Sequence, residues 1–399
     1  MTSQAAPLIS IVVPTRNRHV FLAILARSLL AMPEPDFELV VHDNSDAPGG
    51  FEAAAGKLAD PRLRYVYDPT PMSITQNFEK ALTHARGEYV CMIGDDDGVT
   101  EAIFGVARWL RAHCIEAATT PVATYLWPGV ESALNGKQTT GVLRMPRFNS
   151  RIRLVDAKAA LEVVLASGAI RIGELPSVYQ GIVSRQALER LNALSGTRFP
   201  GPSPDMANAV GLSAVIDRFA RISFPVVISG SCNVSGAAEG ARHQHHGEIA
   251  DKAFLPPDTA NRWPSTVPFY FSGPTLWAAT LIDALVATGR GTAAQRLRYD
   301  RLYAACSVFT PKYRDRVALV RRHHPALVSS AAFSWSIAWI WHLRVRALIG
   351  NIWSRLQARL FSPALGADIP DIEAAIAQVS ATAGSLPQAR FLPSGKESL

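Results

Sequence analysis

The run Tyr89-Val90-Cys91-Met92-Ile93 passes without a break into Gly94-Asp95-Asp96-Asp97-Gly98. A short apolar run closed by glycine reads as a buried strand, and Glu88 to Ile93 is taken as one. Three successive carboxylates at its end repel one another and resist ionisation unless a cation or hydrogen-bond donors compensate. The chain must therefore fold so that this strand ends in a polar crevice. A divalent ion, Mg²⁺ or Mn²⁺, is the simplest compensator, because it takes one or two carboxylates together with phosphate oxygens. A solvated acidic turn satisfies the same residues, since Asp-Asp-Gly is ordinary turn chemistry.

The preceding residues repeat the pattern. Leu8 to Val13 is apolar and leads into Pro14-Thr15-Arg16-Asn17-Arg18, followed by an Ala/Leu-rich helix to about Ala31. Phe37 to His42 ends at Asp43-Asn44-Ser45-Asp46, and Arg64 to Tyr67 ends at Asp68-Pro69. A helix from Ile74 to Ala85 precedes the strand that carries the acid cluster. Strands alternating with helices predict an α/β fold around a largely parallel sheet, whose ligands bind beyond the carboxyl ends of the strands. The polar loops all fall at those ends.

From Thr100 the expected elements are mixed: helices at 102–112, 157–166 and 185–194, strands at 121–126, 178–183 and 222–229. A Pro/Gly turn, Phe199 to Pro204, delivers Asp205 to the start of a helix expected to reach Phe219. Beyond Pro264 the pattern is almost wholly helical. With 399 residues, 48% hydrophobic and 18% charged, the chain has material for a large core, and its four scattered cysteines indicate neither a disulfide framework nor a zinc site.

Three stretches in order make the chain recognisable: Ile11 to Arg18, Val40 to Ser45, and Asn77 to Leu82 continuing through Ala85 to Asp97. Together they resemble the family 2 glycosyltransferases of GT-A fold, closely over residues 8 to 100 and less distinctly to about 235. The resemblance implies an inverting, nucleotide-sugar-dependent transferase with a divalent metal, Mn or Mg. It divides the chain into a GT-A domain over 1–240, with nucleotide-binding (1–100) and acceptor-binding (101–240) halves, and a mainly helical C-terminal extension over 241–399. Asp43 matches the aspartate that accepts the N3–H of uracil or thymine. Pro14, Thr15, Arg16, Asn17 and Arg18 fall on the loop that wraps the nucleotide, and Asn77 matches a helix asparagine facing it. Asp95 and Asp96 are placed near ribose and diphosphate, Asp97 is the principal metal ligand and Asp95 a second. Gly94 stands where the family often has Asp, which leaves the division of roles within the cluster open.

Inverting transfer requires a carboxylate to take the acceptor's proton, and Asp205 is the candidate catalytic base. Its setting, Ser203-Pro204-Asp205-Met206, departs from the Glu-Asp pair of many relatives, and a helix N-cap explains it equally. Within His243-Gln244-His245-His246, His243 is the candidate third metal ligand, with His245 beside it. A sugar-phosphate nucleotidyltransferase would share the sheet but should carry a Gly-rich phosphate loop where this chain has Pro14 to Arg18. The other alternative is a non-catalytic module that binds a membrane or nucleic acid.

That alternative draws on the far end of the chain. Of the formal net charge of +7, the stretch from Thr310 to Leu360 holds nine Lys/Arg against the single acid Asp315. The apolar segment Ala326 to Trp341 is too short to span a bilayer, and its tryptophans beside arginines look interfacial. The expected partners are therefore a nucleotide-sugar donor, a saccharide or lipid-linked acceptor and a membrane surface met by the basic Trp-rich segment 326–360, with no nucleic acid. Without a secretory signal after Met1, the expected location is the cytoplasm, peripheral on the inner membrane.

Overall fold

The computed structural model describes residues 6–131, 138–149, 151–233, 246–361 and 368–384 of the 399. Its central sheet is built on β1 (Ile9–Thr15), β2 (Phe37–Asp43), β3 (Leu63–Tyr67) and β4 (Tyr89–Met92). The order β3-β2-β1-β4 is parallel throughout. Every residue of β1 and β2 is buried, as a strand covered on both faces requires. Side chains alternate accordingly. Ile9, Ile11 and Val13 join one core with α1 (His19–Leu30), whereas Val12 joins the other with α3 (Ile74–Leu82); α2 is Gly50–Leu58.

Past β4 the sheet continues as β10 (Ile182–Ser184), β6 (Ala117–Thr119), β11 (Arg218–Ile222) and β9 (Ile152–Asp156), with β10 and β9 antiparallel to their neighbours. A second sheet orders β5 (Gly98–Val99), β12 (Val227–Ser231), β7 (Val122–Leu126) and β8 (Val142–Arg144). This places β12 against the residues just after the acid cluster. The α/β class expected from the sequence is the observed one. Differences are local: the helix expected to run from Asp205 to Phe219 ends at Leu212, and Asp217 lies beyond it as an exposed partner of Lys158 at 3.7 Å.

The C-terminal half is built into both cores. Helices α4 (Ala102–Ala112), α5 (Ala157–Ala166), α6 (Arg185–Ser195) and α7 (Pro204–Leu212) cover the sheet. On α7 packs α8 (Gly273–Ala287), followed by α9 (Tyr299–Phe309), α10 (Arg314–His323) and the long α11 (Ser330–Phe361). The final helix, α12 (Ile372–Ala383), returns to α1 and the second sheet, where Arg27 holds Glu373 through two bonds of 3.1 and 2.8 Å. Ser272 caps α8 and Asp371 caps α12, each accepting the N–H of the third helical residue.

Helix α12 reaches the residue directly after Asp97. A Cβ added at Gly98 would lie 2.9 Å from Ile372 Cγ1 and 3.0 Å from Ile376 Cγ1. Ile372 is wholly buried there. Ile372→Ala should lower unfolding free energy by about 2–5 kcal/mol, the usual cost of such a cavity, measured by urea denaturation. A loss under about 0.5 kcal/mol, the level of a surface substitution, would show that α12 is not part of the core.

Candidate active site at the carboxyl ends of β1, β2 and β4

Parallel register sets Thr15 beside Asp43, while the β1–β4 ladder stops at the pair Val12–Met92. Pro14, two residues on, has no N–H to extend it, and the strands part there. Into this opening β4 delivers Asp95, Asp96 and Asp97, which are 3%, 5% and 1% exposed.

The three carboxylates have different surroundings. Asp95 receives Thr15 Oγ1 at 2.6 Å and Arg18 Nη1 at 2.9 Å. Asp97 receives four donors: Gly230 N (2.7 Å) on Oδ1, and Gly94 N (2.8 Å), Gln180 Nε2 (3.0 Å) and Tyr179 OH (3.2 Å) on Oδ2. A carboxylate offers about four lone-pair positions, so Asp97 is close to saturated by the protein itself. Asp96 is the least satisfied. Its Oδ2 accepts Cys232 N at 3.1 Å, and Oδ1 has Arg18 Nη1 at 3.5 Å.

Electrostatics follow from this arrangement. Burial raises the pKa of all three aspartates; for Asp96 the neighbouring Asp97 and Asp95 add to burial and push it up to about 7. Arg18 is the one guanidinium paired with the cluster among the described ion pairs; burial works against its charge, but Asp95 and Asp96 outweigh it and raise its pKa. One close backbone approach and one indole donor, both at Asp96 O, complete the floor. A Cβ at Gly230 would sit 1.7 Å from Asp96 O, and Trp127 Nε1 donates to that oxygen at 2.9 Å. Only glycine lets β12 come near enough for its N–H to reach Asp97.

The remaining nucleotide-loop candidates divide between rim and interior. Arg16 and Asn17 lie at the rim, and both bond Asp46, at 2.7 and 2.8 Å. Asn17 takes a left-handed φ of 58°, which an asparagine tolerates better than most residues. Asp43 is wholly buried. Its oxygens accept Tyr65 OH (2.8 Å), Ser45 N (3.0 Å) and Ser45 Oγ, with His19 Nε2 3.0 Å away. Asn77 ties strand ends together: its Oδ1 meets His42 Nδ1 at 2.8 Å and its Nδ2 donates to Thr15 O at 3.3 Å.

Asp205 starts α7 and is only partly exposed. Its Oδ1 accepts Ser203 Oγ and Met206 N, Trp277 of α8 also donates to the carboxylate, and burial raises its pKa. Tyr179 connects it to the acid cluster. That phenol is within electrostatic reach of Asp97, Asp96 and Asp205, and together with burial they drive its pKa well upward. His243 and His245 lie outside the described residues. Tyr179, Gln180 and Gly230 were not anticipated from the sequence; Gln180 has φ 58° and breaks what reads as a continuous strand.

Among the described residues no group of three or more His, Cys, Asp or Glu side chains is arranged to hold a metal alone. The donor set fits an ion that takes one or two carboxylates and completes its sphere with substrate oxygens and water, the habit of Mg²⁺ and Mn²⁺. Asp96 offers the freer oxygen for it.

Residues 10–133 match the family Glycosyl transferase family 2, which bears out the resemblance read from the three N-terminal stretches. A putative colanic acid biosynthesis glycosyl transferase, WcaA of Escherichia coli, is 30% identical over 92 residues, covering 23% of this chain and 33% of WcaA. An uncharacterized Sinorhizobium fredii protein, y4gI, is 30% identical over 96 residues, 23% of this chain and 11% of that protein. The chain thus matches well under two thirds of either relative's length. Among solved structures, S. aureus TarS 1-349 in complex with UDP-GlcNAc is 15% identical, with a TM-score of 0.45 over 80% of this chain and 91% of that one. The mannosyltransferase PcManGT of Pyrobaculum calidifontis, in complex with GDP-Man and Mn2+, is 17% identical, with a TM-score of 0.41 over 94% and 90%.

The unequal surroundings of the aspartates give opposite expectations for two variants. Asp97→Asn replaces an acceptor with a donor against four donors and should destabilise the apo-protein by about 1–3 kcal/mol. Asp96→Asn removes a carboxylate that burial disfavours, so the apo-protein should melt no lower than wild type while Mn²⁺ binding is lost. An ion that binds through the Asp96 carboxylate would require its proton to be released first. Calorimetric Mn²⁺ affinity should therefore rise with pH through about 7, and a flat profile from pH 5.5 to 8 would contradict this assignment.

Proposed function

We propose that this chain is an inverting glycosyltransferase that moves a sugar from a nucleoside diphosphate, of which UDP is the best supported, to a hydroxyl acceptor. The observation that carries the reading is the buried acid cluster clasped by the Arg18 guanidinium at the strand ends. Tyr179 donates to Asp97 of that cluster and is within electrostatic reach of a second carboxylate, Asp205, on another element.

In this reading Asp95, held by Thr15 and Arg18, faces the ribose, and Arg18 meets a diphosphate oxygen. Asp96 is the carboxylate that takes the divalent ion, in place of Asp97. When bound, the ion neutralises charge on the departing nucleoside diphosphate. Asp97 instead fixes the loop, since its donors from β12 and residues 179–180 lock three segments around the site. Asp43 can accept a uracil N3–H only if one of its present donors gives way, and His19 is one of them. Arg16 and Asn17 supply polar groups at the open edge for base and ribose.

Asp205 acts as the general base. It takes the acceptor hydroxyl's proton as that oxygen attacks the anomeric carbon on the face opposite the leaving group. Burial raises its proton affinity, while the Ser203 and Met206 donors keep the carboxylate oriented. Acceptors in keeping with this site are a saccharide or a lipid-linked saccharide used in cell-surface polysaccharide assembly.

A donor panel, read as nucleoside diphosphate release with Mn²⁺ and Mg²⁺, tests the activity. Asp205→Asn should bind donor as wild type does but lose transfer by about 10²–10⁴-fold, the range for general-base catalysis. Wild-type turnover in that variant would remove Asp205 from the mechanism.

A further inference from the structure

Helices α10 and α11 carry none of the residues placed in that chemistry. Between α9, α10 and α11 lies a cavity of about 340 Å³, lined by Val308, Val317, Ala318, Phe333, Ile337 and Trp341. Its size is within the roughly 300–1,000 Å³ of small-ligand pockets. Arg314 and Arg321, one face of α10 seven residues apart, also line it. Neither has a carboxylate partner among the described residues. Arg314 spends its Nε on Ser307 O (3.0 Å), while the Arg321 guanidinium lies 3.8 Å over the Phe333 ring with its buried Nε making no hydrogen bond.

Helix α11 has two faces. Ile340 and Ser336 are buried against α9, and Arg301 stacks on Trp339 at 4.4 Å. Elsewhere Trp335 is 76% exposed, Trp341 49%, Val345 49% and Ile349 59%. Arg344 and Arg346 flank this exposed apolar row. Among the described residues no helix is long and apolar enough to cross a membrane. The Arg344 guanidinium lies over the Trp341 ring at 5.1 Å, and a large exposed apolar row edged by cations is the pattern of a helix lying in a lipid interface.

We propose that this face docks on an anionic phospholipid bilayer: the exposed row of α11 enters the headgroup–acyl boundary, and the cavity takes one lipid's acyl chain with its phosphate at Arg314 and Arg321. Charge complementarity selects the occupant, because the stretch carries nine Lys/Arg against one acid and each cation near such a surface strengthens binding. Trp341 is shared by cavity and row, which joins the two into one surface.

Flotation of the full chain with phosphatidylcholine vesicles, with and without phosphatidylglycerol, tests the proposal. Binding should require phosphatidylglycerol and weaken with salt. Arg314→Gln with Arg321→Gln should reduce it by about tenfold or more, at roughly fivefold for each cation. Trp335→Ser with Ile349→Ser, at exposed positions where folding is not at risk, should reduce it too. Inorganic phosphate at the same ionic strength should not displace the protein, whereas displacement would mean an anion site rather than a docking surface. Equal binding to neutral vesicles, no flotation at all, or wild-type flotation of both double variants would overturn the proposal. Donor turnover measured without vesicles is independent of it, so an inactive chain that floats refutes the proposed function and an active chain that does not float refutes the docking.

Discussion

Three carboxylates buried side by side with one guanidinium are the constraint around which this molecule is organised. Ionising all of them in a dry crevice is opposed by burial and by mutual repulsion, and the resulting strain is distributed unequally. Asp97 is neutralised by hydrogen bonds from Gly94, Tyr179, Gln180 and Gly230, and Asp95 by Thr15 and Arg18. Asp96 is left with the fewest donors, and to the burial that raises the pKa of all three it adds repulsion from Asp97 and Asp95. The cluster is thus one brace, one clasp and one group left short of donors. Consecutive identical residues have acquired separate tasks from their neighbours alone.

The donors that brace Asp97 explain much of the surrounding fold. β12 has to approach so closely that Gly230 has no room for a Cβ, and at Gly98 a Cβ would come within 2.9 Å of Ile372 and 3.0 Å of Ile376 of α12. The returning C-terminal helix therefore backs the same loop that β12 and Gln180 hold from the other directions. Three segments distant in sequence converge on one carboxylate. Residues after 240 are accordingly found in both principal cores.

What the sequence disclosed follows from this arrangement. β1, β2 and β4 were legible because each is an unbroken apolar run ending in polar residues, and their C-terminal ends named Thr15, Asp43 and the acid cluster as neighbours. α12, at Ile372–Ala383, falls in the region beyond Pro264 that reads as almost wholly helical. Gln180 was hidden: Val178 to Val183 is apolar enough to pass for one strand, yet a left-handed residue interrupts it and leaves the strand at Ile182–Ser184 with an isolated Met92–Tyr179 bridge. Gly230 N and Cys232 N were hidden for another reason. Backbone donors carry no side-chain signature, and only tertiary approach gives them a partner. The same limit applies to the division of labour among the three aspartates, which depends on who donates to each.

The packing also ties the two ends of the proposed activity together. Asp205 sits at the start of α7; α7 packs on α8, α8 on α9, and α9 on α11 along the buried Ile340 face. Asp300 of α9 reinforces the last contact by accepting Ser336 Oγ at 2.6 Å and the Arg298 guanidinium at 2.8 and 2.7 Å. Trp277 of α8 in turn donates to the Asp205 carboxylate. Close-packed helices transmit displacement rather than absorb it, because their interiors have few voids. A surface that held the exposed row of α11 would therefore also hold, through two intervening helices, the orientation of Asp205, the proposed base. An acceptor presented from that surface would meet Asp205 at a set height and angle, which is the positional control that transfer to a membrane-borne hydroxyl requires.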